Sequence, residues 1–519
     1  MIKLKNIKPK YLLLGFLLIL LIFFTAFSIL TYLNIKSLQK SGKSLVVDII
    51  NNRPEKFDNN LSNFNKHTTG LKNKLNLVKP VAKYLPNKYH NLFNQTNSLI
   101  ELTLKFNNLL PQIVGSDKIK TYFILLQNNF EIRPSGGFIG SYAKVKFLKG
   151  GLQEIFIQDI YAPDGQLDGH VDPPWPIQAA FRQGWWKLRD SNWEPDFPTA
   201  AQQIAWFFKK GGEEKSDGIV AINLFLIKDI IKVIEPMHLP DYEYTITADN
   251  FYSIAQNEVE KDFFPGSTQK KDFLSSLSKY LIFELKKINS QQAFLLIKSL
   301  KKNLEEKQIL ISLNDSSQTK FINQLGWDGS IKRQHLGLTK TITDYIYIVD
   351  TNLGVNKANC CVNRRAFQQI NIGQEKIEEK LLITYINKAS DEQIQKPFFW
   401  GGLYKDFLRI ILPLEAQNIK IKINEKELRD KIDIQEDKTK QLQTIGFFVL
   451  TPLSSQTLVE ITYNKQLKNE VNNIDSYVLE IQKQPGIENY HHQINLNFPN
   501  KNITLDKNIR FDETITISL

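Results

Sequence analysis

The stretch TYFILLQNNFEIRPSGGFIGSYAKVKF occupies residues 121–147 and decides the fold of the middle of the chain. It opens with Thr121–Leu126, a continuous apolar run rich in β-forming residues, which is typical of a buried strand. Gly136 and Gly137 break the pattern, and Phe138–Phe147 returns as a second strand. Strand ends in α/β sheets are where ligands usually bind, so the polar residues between the two strands are the first place to look for a site.

Strands and helices alternate on the C-terminal side of this stretch. The helices are predicted at Thr199–Phe208, at Leu224–Ile234 and within residues 270–306, and residues 161–198 look like loop. Because strands are interleaved with helices, we expect a layered α/β domain over residues 117–365. The further strands are predicted at Leu152–Ile160, Gly218–Ile222, Gln308–Leu313 and Thr343–Val349.

After residue 365 the helical pattern fades. Short apolar runs separated by turns predict an all-β sandwich over residues 366–519. Its strands are expected at Lys380–Tyr385, Phe407–Leu412, Ile419–Ile423, Gly446–Leu450, Leu458–Tyr463 and Tyr477–Ile481.

The N-terminal part contains a long uncharged run, Tyr11–Leu33. A bilayer core roughly 30 Å thick needs about 20 apolar residues in a helix, so residues 11–33 are predicted to be one transmembrane helix. Four lysines precede it, and the positive-inside bias makes residues 1–10 a cytoplasmic tail, with the bulk of the chain extracellular. The alternative is a cleaved signal peptide, but the run exceeds the usual apolar region of about 7–15 residues.

Residues 34–116 are predicted to be a helical stalk between the membrane and the α/β domain. Apolar residues recur there at helical spacing. Prolines are expected to break the stalk into short helices. They stand at Pro54, Pro80, Pro86 and Pro111.

Charge and cysteine content exclude several classes of protein. The net charge of +12 in 519 residues comes mostly from lysine spread along the chain, without an arginine-rich run, so nucleic acid is not an expected partner. The only cysteines, Cys360 and Cys361, are adjacent, which excludes a disulfide framework and a CxxC metal site. A vicinal disulfide is one alternative, and two thiols on opposite faces of a strand is the favoured one.

The first candidate site follows the buried strand in Asn128–Gly137. Glu131 and Arg133 stand beside Gly136 and Gly137, and glycines let backbone N–H groups approach an anion closely. Arginine offers a planar fork suited to phosphate or carboxylate. Together with Asn129, these residues predict an anion-binding site, and a structural salt bridge of Arg133 is the alternative.

The second candidate site is Arg189–Pro198, just before the predicted helix. Its carboxylates, Asp190 and Asp196, have the chemistry to hold Mg²⁺, which usually takes one or two carboxylates together with phosphate oxygens. The alternative is that Asp196 only caps the helix. Trp193 is one of five tryptophans, among seven in the chain, that lie in residues 175–206. Tryptophan and arginine together are common in binding hot spots.

These motifs resemble a bacterial membrane-anchored family known as domain-of-unknown-function family 4012. The resemblance lies in NxExRPSGGFIGSY at 129–142, YAPD at 161–164, PPWP at 173–176, RDSNWEPDFPTAA at 189–201 and DGIVAIN at 217–223. It continues in GWDG at 326–329, DTNLGVNKAN at 350–359, GLYKDFLRI at 402–410 and QKQPG at 482–486. The family implies membrane anchoring but no activity.

The order of motifs is more distantly similar to the LytR-CpsA-Psr proteins, which transfer glycopolymers from polyprenyl-pyrophosphate lipids to the cell wall. This similarity implies catalytic roles for Arg133, Arg189 and Asp190, and a Mg²⁺ held by Glu131, Asp190 and Asp196. The chain departs from that pattern, because Leu188 replaces a proline. In place of an arginine-rich stretch it has Lys270 and Lys271, which bind phosphate without a bidentate fork.

Two functions follow as hypotheses. The first is a cell-envelope protein that binds or transfers a polyprenyl-phosphate-linked glycopolymer in the presence of Mg²⁺. The second is a non-catalytic surface protein that contacts cell-wall glycan through the tryptophan-rich loop and the β-sandwich. A glycosidase, with its carboxylate pair among Asp159, Asp164, Asp168 and Asp172, ranks third.

Overall fold

The structure is a computed structural model that describes residues 9–260, 269–395, 400–467 and 474–518, without the side chains of residues 9–29, 259, 260 and 290. Two compact units divide the chain. The first contains residues 1–120, 145–155 and 286–295, and the second contains residues 121–144, 156–285 and 296–519.

The first unit is mainly helical. Its helices are α1 (Pro9–Ile50), α2 (Pro54–Ala82) and α3 (Asn87–Ile113). Pro54 begins α2 as predicted, but Pro80 and Pro111 lie inside α2 and α3, close to their ends. The expectation of short helices is therefore wrong, because a proline in the last turn disturbs little of the helix that precedes it.

Apolar side chains hold this unit together. The core consists of Leu45, Phe57, Leu61, Leu110 and Val114, which come from all three helices and the residue after α3. No helix in the described part of the chain is long and apolar enough to cross a membrane. The side chains of residues 11–29, most of the predicted span, lie outside that part, and the span stays a prediction.

The second unit begins with a five-stranded sheet in the order β3-β2-β1-β4-β7. β1 and β4 are parallel, with Tyr122 opposite Gly218 and Gln127 opposite Asn223, so their carboxyl ends lie side by side. The predicted strands of this region are confirmed. Their bounds are β1 (Lys120–Asn128), β2 (Phe138–Leu148), β3 (Gly151–Asp159), β4 (Gly218–Asn223) and β7 (Ile309–Leu313).

Helices follow the strands of this sheet along the chain, and β5 (Met237–Leu239) and β6 (Tyr244–Ile246) form a separate two-stranded sheet. The region predicted as loop, 161–198, contains two short helices and a 3-10 turn at Leu188–Asp190. The helices are α4 (Tyr161–Gly165), α5 (Trp175–Phe181), α6 (Phe197–Lys210), α7 (Leu224–Ile234), α8 (Phe251–Glu260), α9 (Gln269–Lys287), α10 (Ser290–Glu305) and α11 (Ser316–Gln324).

The rest of the second unit is a sheet-rich region made of two large sheets. One has the order β13-β12-β16-β10-β9-β18-β19, and the other β14-β15-β11-β8-β17-β20. The bounds are β8 (Thr341–Val349), β9 (Val362–Ile372), β10 (Lys376–Asn387), β11 (Tyr404–Pro413), β12 (Gln417–Ile423), β13 (Lys426–Glu427), β14 (Asp433–Asp437), β15 (Leu442–Thr451), β16 (Ser455–Gln466), β17 (Ser476–Gln482), β18 (Tyr490–Phe498), β19 (Lys501–Ile509) and β20 (Glu513–Ser518).

Side chains from both sheets form one buried core, in which Ile346 of β8 and Leu381 of β10 are fully enclosed. The predicted C-terminal strands all lie within observed strands. β8 precedes residue 366, yet it pairs with β11 and β17, so the sheet-rich region begins at Thr341.

The two cysteines form a disulfide, Cys360–Cys361. The favoured prediction of separate thiols on a strand is therefore wrong in this structure. The pair lies at the end of a 3-10 turn, Ala358–Cys360, just before β9, where neighbouring side chains do not alternate between faces as they do in a strand.

Candidate functional site

The loop between β1 and β2 is folded tightly and places Glu131 and Arg133 at the end of β1. Glu131 N donates to Asn128 O at 3.1 Å, and Gly136 N donates to Arg133 O at 2.9 Å. Gly136 has a φ of 127°, and a Cβ at Gly137 would lie 2.4 Å from the Asn128 backbone. These glycines are required by the shape of the loop.

Residues from the sheet-rich region hold the same loop from outside. Asn352 N donates to Ile132 O at 3.0 Å, and Ile132 N donates to Asn359 Oδ1 at 3.1 Å. Gln484 Nε2 donates to Arg133 O at 3.2 Å. DTNLGVNKAN and QKQPG, which stand far from this loop in sequence, therefore act together to position it.

Arg133 is buried and joins two carboxylates. Its Nη2 donates to Glu131 Oε1 at 3.1 Å and to Asp190 Oδ1 at 3.3 Å. Its Nη1 donates to the backbone oxygens of Ile132 and Asn352. Only 3% of the Arg133 side chain is exposed, so this guanidinium serves mainly to fix the two carboxylates.

Arg189 belongs to the same ionic network but is more open. The 3-10 turn at Leu188–Asp190 is held by Asp164, whose Oδ1 accepts from Leu188 N at 2.6 Å. Asp164 Oδ2 accepts from Arg189 Nη1 at 3.0 Å, and the guanidinium lies 4.9 Å from the Tyr161 ring centre. With 22% of its side chain exposed, Arg189 is the guanidinium better placed to meet a ligand.

Burial dominates the electrostatics of this network. It raises the pKa of Glu131, against the opposing charges of Arg133 and Lys357. It likewise raises the pKa of Asp164, although Arg189 lies beside it. Both carboxyl groups consequently hold a proton at higher pH than usual, and an added positive charge would favour their ionised form.

Residues of the ionic network line a cavity of about 740 Å³. That volume lies within the roughly 300–1,000 Å³ typical of ligand sites. The charged residues that line it are Glu131, Arg133, Arg189, Asp190, Lys270 and Lys357. Its apolar lining includes Ile227, Phe251, Ala255, Leu274, Leu277 and Leu281 from α7, α8 and α9. A ligand that fits this cavity combines an anionic group with an apolar chain.

The two predicted lysines separate in the structure. Lys270 lines the cavity, and its Nζ lies 3.2 Å from Asp159 Oδ2. Lys271 is not among the described residues that line the cavity, and its Nζ lies 5.5 Å from the Phe156 ring centre.

Several predicted site residues have structural roles instead. Asn129 Oδ1 accepts from Leu224 N at 3.1 Å and so holds the start of α7. Trp193 packs 4.3 Å from the guanidinium of Arg409, which also donates to its carbonyl oxygen. Gly136 and Gly137 shape the loop, as described above. These four residues are not among the described residues that line the cavity.

Asp196 is the N-cap of α6 and does not join Glu131 and Asp190. It accepts from Thr199 Oγ1 at 2.8 Å and from Ile331 N at 2.9 Å. Burial raises its pKa, but these hydrogen bonds and Lys440 outweigh burial and lower the pKa overall. The predicted metal role of Asp196 is therefore replaced by helix capping, because its carboxylate is already bonded.

Glu131 and Asp190 are the two carboxylates that the cavity offers to a metal ion. Both reach the same nitrogen of Arg133, which brings the carboxylates together. Among the residues that the structure describes, no group of three or more His, Cys, Asp or Glu side chains has metal-site geometry. Two carboxylates fit Mg²⁺ when phosphate oxygens complete its coordination.

Sequence reasoning missed several residues of the site. Asp164, which orients Arg189 from outside the described cavity lining, was named only as a glycosidase candidate. Tyr161 and Lys357, which line the cavity, were not singled out. The apolar wall was also missed, although Leu274, Leu277 and Leu281 follow the helical spacing of one face. Of the five tryptophans in residues 175–206, Trp186 and Trp193 are buried, while Trp185 and Trp206 are exposed.

The structure therefore defines a protein of mixed α/β fold with a cavity that is lined by both charged and apolar residues. Residues 117–259 match the family described as "Protein of unknown function (DUF4012)". This stretch includes Glu131, Arg133, Arg189 and Asp190, so the matched segment supplies the ionic network of the cavity. No curated protein matches the chain.

Similarity to solved structures is limited. A putative nutrient binding protein from Legionella pneumophila is similar over 26% of this chain, at 8% identity and a TM-score of 0.20. An M1 zinc metallopeptidase from Deinococcus radiodurans is similar over 28% of this chain and 39% of its own, at 8% identity and a TM-score of 0.14. The chain spans half the length of the first of these proteins.

Proposed function

We propose that the cavity binds the phosphate or pyrophosphate group of a polyprenyl-linked glycopolymer at the cell membrane. The observation that carries the proposal is that Arg133, Arg189 and two carboxylates line the same cavity as a set of apolar side chains from α7, α8 and α9. The distant similarity to LytR-CpsA-Psr proteins, stated above, leads to the same substrate class. The transmembrane helix predicted at residues 11–33 would keep the cavity near the bilayer.

The charged residues of the cavity lining are suited to phosphate. Guanidinium groups bind phosphate oxygens with a planar fork, and hydrogen bonds between charged partners are the stronger ones. Arg189 is partly exposed and would contact the phosphate, while Arg133 would keep Glu131 and Asp190 in place. Lys270 and Lys357 add positive charge to the same wall.

The apolar residues of the cavity lining are suited to an isoprenoid chain. Leu274, Leu277 and Leu281 lie along α9, and Ile227 and Phe251 face the same space. Burying a side chain of this size is worth roughly 1.5–3 kcal/mol, and a prenyl chain that covers several of them gains a similar amount at each contact. This wall favours a lipid over a free nucleotide or inorganic phosphate.

A transfer reaction would use Glu131 and Asp190 beside the phosphate. Mg²⁺, when bound to these carboxylates, would neutralise charge on the phosphate oxygens. Arg189 would stabilise the developing negative charge on the phosphate, and Arg133 would hold the two carboxylates in place.

The test is binding of a polyprenyl-pyrophosphate lipid to the full chain, with and without Mg²⁺. We expect Arg189→Ala to weaken binding about tenfold or more, because a hydrogen bond to a charged group is worth roughly 1.5–3 kcal/mol. Arg133→Ala should weaken it as well, by releasing the two carboxylates. Arg182→Ala is the matched control, since Arg182 is exposed, close in sequence and not among the described cavity residues. Equal binding by the wild type, Arg133→Ala and Arg189→Ala would rule out the proposed site.

The exposed tryptophans support a second candidate, a non-catalytic envelope protein that contacts cell-wall glycan. Trp185 is 56% exposed and Trp206 is 43% exposed, which is unusual for such large apolar side chains. This candidate predicts that the full chain binds isolated cell walls, that Trp185→Ala and Trp206→Ala weaken this binding, and that Arg189→Ala does not.

A further inference from the structure

A second ionic cluster lies in the core of the sheet-rich region, away from the cavity residues. It consists of Lys465 on β16, Asp344 on β8 and Glu379 on β10. Lys465 Nζ lies 2.5 Å from Asp344 Oδ2 and 2.5 Å from Glu379 Oε1. The exposed fraction of the Lys465 side chain is 5%, and both carboxylates are fully buried.

Sheet register brings the three side chains together from two sheets. Lys465 is opposite Ile377 in the β10–β16 pair, so Glu379, two residues further along β10, points to the same face. Asp344 belongs to β8 of the other sheet. Lys465 and Asp344 therefore meet across the core, each anchored in a different sheet.

Neighbouring side chains fix the two carboxylates. Tyr477 donates its hydroxyl hydrogen to Asp344 Oδ2 at 2.7 Å, and Tyr463 donates to Glu379 Oε2 at 2.7 Å. Lys465 Nζ, by contrast, makes no well-aligned hydrogen bond to any described residue despite its close contacts. The tyrosine hydroxyls therefore fix the two carboxylates, whereas the amine contacts both of them without a well-aligned hydrogen bond.

Three charged groups are costly in such a place. Removing ions from water costs several kcal/mol each, and mutual attraction offsets this only partly. Burial and the neighbouring Asp344 raise the pKa of Glu379 to about 7, so Glu379 can carry the proton that makes the cluster neutral overall. A neutral cluster of one amine and two carboxyl groups contains all the atoms needed for amide condensation.

We propose that Lys465 and Asp344 form an intramolecular isopeptide bond, with Glu379 transferring the protons. Lys465 first passes one proton to the Asp344 carboxylate. The Nζ lone pair of the resulting neutral amine then attacks Cγ of the Asp344 carboxylic acid, and a C–N bond forms. Glu379 gives its proton to the departing hydroxyl group as the C–O bond breaks, and takes one proton from the nitrogen. The products are one amide and one water molecule, Glu379 is regenerated, and no oxidant or reductant is needed.

The bond would link the two sheets of the region covalently. Residues 344 and 465 lie in different sheets, so unfolding of one sheet could no longer separate it fully from the other. Such a link restricts the unfolded chain in the same way as a disulfide, but a thiol reductant does not break it. The inference is independent of the proposed lipid-binding function.

Mass spectrometry of the full chain tests the bond directly. After reduction of the Cys360–Cys361 disulfide, the wild type should have a mass lower by one water molecule than the sequence requires. A tryptic digest should contain a branched peptide that joins Asp344 to Lys465, with no cleavage after Lys465. Full calculated mass and separate linear peptides from the wild type would overturn the proposal, whatever the variants do.

Two variants and one control define the role of each residue. Asp344→Ala removes the attacked carbon, and Glu379→Gln removes the proton carrier, so both should keep the full mass calculated for their sequences. A linked Glu379→Gln protein would refute the role of Glu379. Lys380 and Glu460, a partly exposed pair 2.6 Å apart on the same two strands, serve as the control and should give unlinked peptides, because proximity at a hydrated surface does not drive condensation.

Discussion

Arg133 and Lys465 each contact two carboxylates, but their surroundings differ. The carboxylates of Arg133 face a cavity of about 740 Å³ that also contains the more exposed Arg189. The carboxylates of Lys465 face only the core between two sheets, where Tyr463 and Tyr477 hold them. One cation between two carboxyl groups therefore borders a cavity in one place and is enclosed by the core in the other.

This difference indicates that access, and not the kind of side chain, separates a binding site from an internal cluster. An open network can exchange its partners for phosphate oxygens or a metal ion. An enclosed network can only remain as an ion pair or react within itself. The following predictions test this contrast, from the largest expected effect to the smallest.

Removal of the enclosed amine should have the largest effect. Lys465→Met leaves two carboxyl groups buried without their partner and prevents the proposed link between the sheets, and we expect a loss of about 3–5 kcal/mol in the free energy of unfolding. Urea denaturation of the full chain, followed by circular dichroism, measures it. Lys380→Met breaks the partly exposed pair on the same strands and should cost less than about 1 kcal/mol. Similar losses in the two variants would contradict the contrast.

His492 tests the contrast between enclosed and accessible charges with a single enclosed titratable group. Burial lowers its pKa from 6.5 to about 3, and neither ring nitrogen has a hydrogen-bond partner among the described residues. Because the unfolded chain binds the proton more tightly, stability is lost as the pH falls below 6.5. We expect this group to cost about 2 kcal/mol of stability between pH 7 and pH 5.

His492→Leu should remove that pH-dependent loss. Urea denaturation at both pH values measures it for the wild type and the variant. His491→Leu is the control, because His491 is about half exposed and pairs with Asp506. An unchanged pH dependence in His492→Leu would show that this histidine is not held neutral by burial.

The apolar residues that line the cavity can be tested separately from the charged ones. Leu281→Asn should weaken binding of a polyprenyl-pyrophosphate lipid about tenfold, because roughly 1.5 kcal/mol of apolar contact is lost. Binding of inorganic pyrophosphate should not change. Phe283→Asn alters an exposed residue of the same helix and should leave both affinities as they are. A parallel loss of pyrophosphate binding in Leu281→Asn would instead indicate a collapsed cavity.

Asp196 should show the smallest effect. As the N-cap of α6, its replacement by alanine should cost about 1 kcal/mol of stability. Lipid binding, measured in the same way as above, should remain at the wild-type level. Loss of binding in Asp196→Ala with normal stability would return this carboxylate to the site.

The sequence predicted much of the fold because periodicity is local. Apolar runs identified β1, β2 and β4, and the pattern at Leu224–Ile234 matched α7 residue for residue. β9 and β18 were missed, since their polar and apolar residues alternate without a clear break from the neighbouring loops. Pro80 and Pro111 led to the wrong prediction of short helices, because a proline near the end of a helix does not break it.

The site was predictable only in part. Motifs that follow strands or precede helices pointed to Glu131, Arg133, Arg189 and Asp190, and the structure places these four together in the cavity lining. Trp193 and Asp196 are not among the described lining residues, and their partners Arg409 and Ile331 are distant in sequence. No sequence pattern pointed to Lys465, Asp344 or Glu379, since a lysine and two acids that are far apart in the chain look like ordinary surface residues.

A structure of the full chain with a bound polyprenyl-pyrophosphate lipid tests the central claim most directly. We predict that the pyrophosphate lies within hydrogen-bond distance of the Arg189 guanidinium and that the prenyl chain follows Leu274, Leu277 and Leu281 of α9. Lipid bound elsewhere on the chain, with this cavity unchanged, would contradict the account.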